Sequence, residues 1–67
     1  MTELQANVIA KALGGRSWHS GGGIWLVLFD RADGSLVCIS DDCVAEYACQ
    51  DAFDAGAEVS SIMWRQG

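Results

Sequence analysis

The hexapeptide IWLVLF, residues 24–29, constrains the fold more than any other stretch of this chain. Its β-branched and aromatic side chains suit an extended backbone. At period two, Ile24, Leu26 and Leu28 point one way and Trp25, Val27 and Phe29 the other. A strand that is apolar on both sides belongs in the middle of a sheet covered on both faces. The following DRADGS carries an Asp-Gly turn signal, and Leu36 to Ile39 resumes an apolar run, so residues 24–39 read as a β-hairpin.

The segments on either side of this hairpin read as helices. Thr2 with Gln5 three residues later fits a capping box, which places a helix start near Glu3, and the Gly14-Gly15 pair supplies its end. On that helix Leu4, Val8 and Ala12 form an apolar stripe widened by Ile9 and Leu13, while Glu3, Asn7 and Lys11 fall opposite, so the stripe is the expected buried face. A second helix is expected from Asp41, as N-cap, to a C-terminal stop at Gly56. It would place Val44, Ala48, Ala52 and Ala55 inward and Glu46, Gln50 and Asp54 outward. The last apolar segment, EVSSIMW, alternates as a strand does.

The element order is therefore αββαβ. A crossover helix returns the chain so that strand three lies parallel to strand two, and the doubly apolar first strand takes the centre. The expected architecture is a two-layer α+β unit over residues 1–67, one domain, with a three-stranded mixed sheet of order 2-1-3 and both helices on one face.

Sixty-seven residues bury a smaller share of their surface than a longer chain does, so a supplement to the core is expected. Three cysteines cannot all pair within the chain, and one histidine leaves metal ligands scarce, which makes self-association the simplest supplement. A hydrophobic content of 51% and the absence of proline separate the chain from disordered tails. A net charge of −5 disfavours contact with nucleic-acid backbones and anionic membranes, so no direct nucleic-acid binding is expected. The longest apolar run, Ile24 to Phe29, is too short to span a bilayer, and unpaired thiols suit a reducing cytoplasm.

Few residues here match a chemical motif. Gly21, Gly22 and Gly23 precede a strand, whereas phosphate-binding glycine loops follow a strand and open a helix with Lys-Ser or Lys-Thr, so this run reads as a connector. Cys38, Cys43 and Cys49 have neither zinc nor iron–sulfur spacing, and no metal site or cofactor is expected. Cys43, in the expected first turn of the second helix, and His19, in the polar connector RSWHSGGG, are the weak catalytic candidates. DRADGS lacks the remainder of a calcium-binding loop, and the other acids read as a solvated face.

The large rings are the stronger functional hint. Two short helices cover one face of a sheet, and rings on the uncovered face then need another chain. Trp25, Val27, Phe29, Ile62 and Trp64 are the expected interface. The first functional expectation is a small cytoplasmic accessory or regulatory module that acts by protein contact as a homodimer, with a further protein as a second type of partner. Two alternatives come from other classes: a thiol-dependent enzyme or redox protein using Cys43 with His19, and an acidic, DNA-mimicking inhibitor of a nucleic-acid-binding protein.

Overall fold

The computed structural model describes all residues, Met1–Gly67. Its elements are α1 (Glu3–Leu13), β1 (Arg16–Gly21), β2 (Ile24–Asp30), β3 (Leu36–Ile39), β4 (Cys43–Tyr47), α2 (Gln50–Asp54) and β5 (Ser61–Arg65). The five strands form one sheet in the order β1-β2-β3-β4-β5, and every neighbouring pair is antiparallel. The class is α+β as expected, but the three-stranded mixed sheet of order 2-1-3 is replaced by an antiparallel meander without a crossover.

Two segments account for that correction. The polar RSWHSG forms β1 because Gly22 and Gly23 make a two-residue hairpin loop, with Gly21 paired to Ile24. Both loop residues have positive φ, 61° and 78°, as the turn that matches strand twist requires, and glycine adopts this without steric cost. The second correction is at CVAEY, which forms β4 and pairs Ile39 with Val44 and Leu36 with Tyr47. Its residues satisfy period two as well as helical period: Cys43, Ala45 and Tyr47 share one face, Val44 and Glu46 the other. Sheet pairing satisfies the backbone of β3, which a helix there would leave open. The expected second helix shrinks to the five residues of α2, with the extended Cys49 as an N-cap that makes no side-chain hydrogen bond.

The two helices lie on opposite sides of the sheet, not on one. Ala6 and Ala10 of α1 pack against Val27, with Trp25 and Ile39 beside them. On the other side Phe53 of α2 joins Leu28, Leu36, Cys38, Leu26 and Tyr47. Val27 and Leu28 are consecutive in β2 and so point to opposite faces, and both are fully buried. Burying Leu28 and Leu36 contributes on the order of 1.5–3 kcal/mol each.

The capping box forms as the sequence indicates: Gln5 N–H donates to Thr2 Oγ1 at 3.1 Å and Thr2 N–H donates to Gln5 Oε1 at 2.9 Å. The buried face of α1, however, is the small one, Ala6 and Ala10, joined by Ile9 from the expected stripe, whereas the centre of that stripe looks outward, with Leu4 74% and Val8 61% exposed. Alanines let the helix backbone approach the sheet closely, and Gly15 shows how closely the following turn approaches it. A Cβ on Gly15 would sit 2.3 Å from the Leu28 carbonyl oxygen and 2.8 Å from Phe29 Cβ. Ser17 Oγ of β1 donates to Asn7 Oδ1 at 2.6 Å, fixing the helix along the strand. No helix is long and apolar enough to cross a membrane.

Candidate functional site: an apolar cleft and an exposed sheet edge

The sheet curls on its α2 side. One cavity of about 470 Å³ is lined both by Ser20 at the β1 edge and by Ile62 and Arg65 of the opposite edge strand, β5. Its floor comes from the inner strands, Leu26, Cys38 and Ala45, and Phe53 with Tyr47 closes one end. The rings there are locked edge to face: Phe53 lies 5.5 Å from Trp18 and 5.1 Å from Tyr47, at interplanar angles of 83° and 88°. Arg16 donates to Gln50 Oε1 and lies 3.1 Å from Asp30, which ties α2 to β1 and β2.

Both edge strands are interrupted by bulges. In β1 the register slips between His19 and Gly21, leaving Ser20 as the extra residue. In β5 the slip falls between the pairs Val44–Trp64 and Ala45–Ile62, so Met63 is extra. A bulge breaks alternation and bends a strand, which suits a sheet curling over its own concave face. It also reverses the facing of Ile62 and Trp64. Period two places them together, but the register turns Ile62 into the cleft with Ala45 and Trp64 to the α1 side with Val44.

The expected interface residues are thus distributed. Val27 has no exposed surface and packs, with Trp25 beside it, against Ala6 and Ala10 of α1, and Phe29 on the same face is half-buried. Ile62 and Trp64 stay accessible on β5, every residue of which is exposed. Sequence reasoning missed the outward apolar stripe of α1, although helical periodicity displayed it, because an apolar stripe was equated with the buried one.

The catalytic candidates do not meet. His19 stacks on Trp25 at 4.7 Å on the α1 side, whereas Cys43 lines the cleft on the other side. Cys43 is also not in a helix; it opens β4 opposite Arg65. All three cysteines are free, and no group of three or more His, Cys, Asp or Glu side chains comes together. Burial, helped by the nearby Cys43 charge, pushes the Cys38 thiol up to about 11, and burial followed by the two thiols raises the Tyr47 phenol above its ordinary value. Cys38 is therefore a protonated, small apolar wall residue at neutral pH.

Asp33 carries a different kind of shift. It accepts from the Ser35 hydroxyl at 2.6 Å and from the Ser35 N–H at 2.9 Å, and these bonds hold its carboxyl below the usual value. This is turn chemistry within the β2–β3 loop, not a cation site. No family model matches the chain, and no curated protein or solved structure does.

Proposed function

We propose that this chain is a small accessory module that works by protein contact, first of all with a second copy of itself. The observation that carries this reading is β5. It is a sheet edge with one free row of backbone donors and acceptors, and Ile62, Met63 and Trp64 stand consecutively on it, with Met63 and Trp64 each about half exposed. Charged or proline residues usually blunt such an edge, and within β5 only Arg65 is charged. An exposed tryptophan beside an open edge is the composition of a contact surface.

Pairing of β5 with its copy about a two-fold axis extends the sheet across two chains and covers the apolar edge. The geometry differs from a face-to-face contact through Trp25 and Phe29, whose face α1 occupies. Sedimentation equilibrium at micromolar concentration checks it: a dimer is expected, and Trp64→Lys should convert it to a folded monomer. A monomeric parent chain overturns the self-association. A dimer that survives Trp64→Lys but is lost in Leu4→Lys moves the contact to the outer stripe of α1.

A further inference from the structure

We propose that the cleft on the α2 side of the sheet is a binding site for an apolar organic anion, a molecule with a hydrocarbon body and a single carboxylate or equivalent group. The inference does not require self-association: Ile62 and Arg65 belong to β5, but they line the cleft on the α2 side of the sheet, whereas the dimer contact uses the free backbone edge of that strand.

The first support is shape. A cavity of about 470 Å³ lies in the range of small-molecule sites, and eight of its eleven lining residues are hydrophobic. They belong to several strands and to α2, which holds Phe53 in place through its contacts with Trp18 and Tyr47. The walls are therefore built by the fold, and a hydrocarbon placed there is removed from water.

The second support is charge. The chain has nine acidic and four basic residues, yet no Asp or Glu lines the cavity and the one charged residue there is Arg65. Arg16 and Arg31 are already paired, with Asp30 and Glu46, whereas Arg65 takes part in none of the ion pairs of the molecule. Its cross-strand neighbour on β4 is Cys43, not a carboxylate. In a chain with this excess of acids, an arginine without an internal partner at the rim of an apolar cavity is complementary to a ligand carboxylate, which a guanidinium receives through two parallel N–H donors. Ser20 and Tyr47 add hydroxyls to the same lining, enough to orient a polar head without making the site polar, whereas the Ser40 hydroxyl is engaged, donating to Asp42 Oδ1 and to the Cys43 carbonyl at 3.1 Å each.

Cys38 and Cys43 complete the wall. The raised Cys38 thiol stays neutral, so the floor does not repel an anion at physiological pH. The site differs from a general apolar patch in one measurable respect, its preference for the sign of the head group.

Titration calorimetry with decanoate, decan-1-ol and decylamine on the intact chain, each below its aggregation concentration, reads that preference. Decanoate should bind best, weakening as sodium chloride is added, and Arg65→Gln should cost about tenfold in decanoate affinity while leaving decan-1-ol unchanged. Ala45→Leu, which extends a side chain into the cavity, should weaken decanoate and decan-1-ol alike, and circular dichroism of both variants establishes that the fold is retained. Equal affinity for decanoate and decan-1-ol, an unchanged decanoate affinity in Arg65→Gln, or no binding by the parent chain would each overturn the proposal. None of these results depends on whether the chain sediments as a dimer.

Discussion

The two faces of this sheet are apolar to a similar degree and are covered in different ways. On one, the eleven-residue α1 lies against β1 and β2, with Ala6 and Ala10 turned inward. On the other, five residues of α2 reach the sheet mainly through one ring, Phe53, and the remaining surface is a cleft. The difference shows that helix length and side-chain size, not the hydrophobicity of the strands, decide whether a face becomes packed core or open concavity. A close helix needs small residues at the contact, whereas a short helix with a large residue acts as a plug at one end.

The comparison can be broken with one type of substitution made on both faces. Ala10→Leu forces extra methylenes between α1 and the sheet and should cost about 1–3 kcal/mol, whereas Ala45→Leu, at an equally buried position that lines the cleft, adds its methylenes toward the cavity and should cost less than about 1 kcal/mol in urea unfolding. For a chain of this length the first change lowers Tm by roughly 4–8 °C per kcal/mol. Equal losses would mean that the cleft is as tightly packed as the helix interface. A smaller effect is expected from Thr2→Ala, which removes one half of the capping box and should destabilise by about 1 kcal/mol. Because the cap serves α1, hydrogen exchange should rise along α1 and its contact with β1 before it rises at Phe53.

The smallest effect concerns the thiol wall of the cleft. Cys38 holds its proton up to about 11 in the folded chain, against an ordinary value of 9.0 when unfolded. Between those values the unfolded state releases a proton that the native state keeps, so stability should fall as pH rises from 9 towards 11 and not change on this account below 9. Cys38→Ala should remove that part of the decline. At pH 8 iodoacetamide should modify exposed Cys49 and half-buried Cys43 well before Cys38. Rapid labelling of Cys38 would show that the cleft floor opens to solvent.

Much of this arrangement was legible before the structure. Thr2 and Gln5 mark the start of α1, DRADGS marks the β2–β3 hairpin, and EVSSIMW covers all of β5 but its last residue, Arg65. What failed did so for identifiable reasons. RSWHSG lacks apolar alternation, and its strand character comes from the Gly22-Gly23 turn that folds it onto IWLVLF; a glycine pair between two runs is a hairpin signal that a search for phosphate loops passes over. CVAEY fits both periods, and the open edge of β3, invisible in the local sequence, selects the strand. The cleft depends on the meeting of Ser20 with Ile62 and Arg65, which follows only from five strands in one curled order. The separation of Ile62 from Trp64 depends on one extra residue, Met63, and no composition rule registers a bulge.

The meander order also governs how the chain gets to this structure. Each strand pairs only with the strand adjacent in sequence, so no pairing has to wait for a distant part of the chain, and the loop-closure entropy of each step is small. Topologies of this local kind assemble quickly for their size, in contrast to sheets that need crossovers. The same order makes the sheet separable: β5 pairs its backbone with β4 alone, with Arg31 of the β2–β3 loop donating to Met63 Sδ as a side-chain tie, so fraying of β5 leaves the other three pairings intact while removing both the exposed edge and one wall of the cleft. The strand that bears most of the proposed recognition is thus the one whose transient release disturbs the remaining ladder least, a kinetic independence that a closed barrel would not give it.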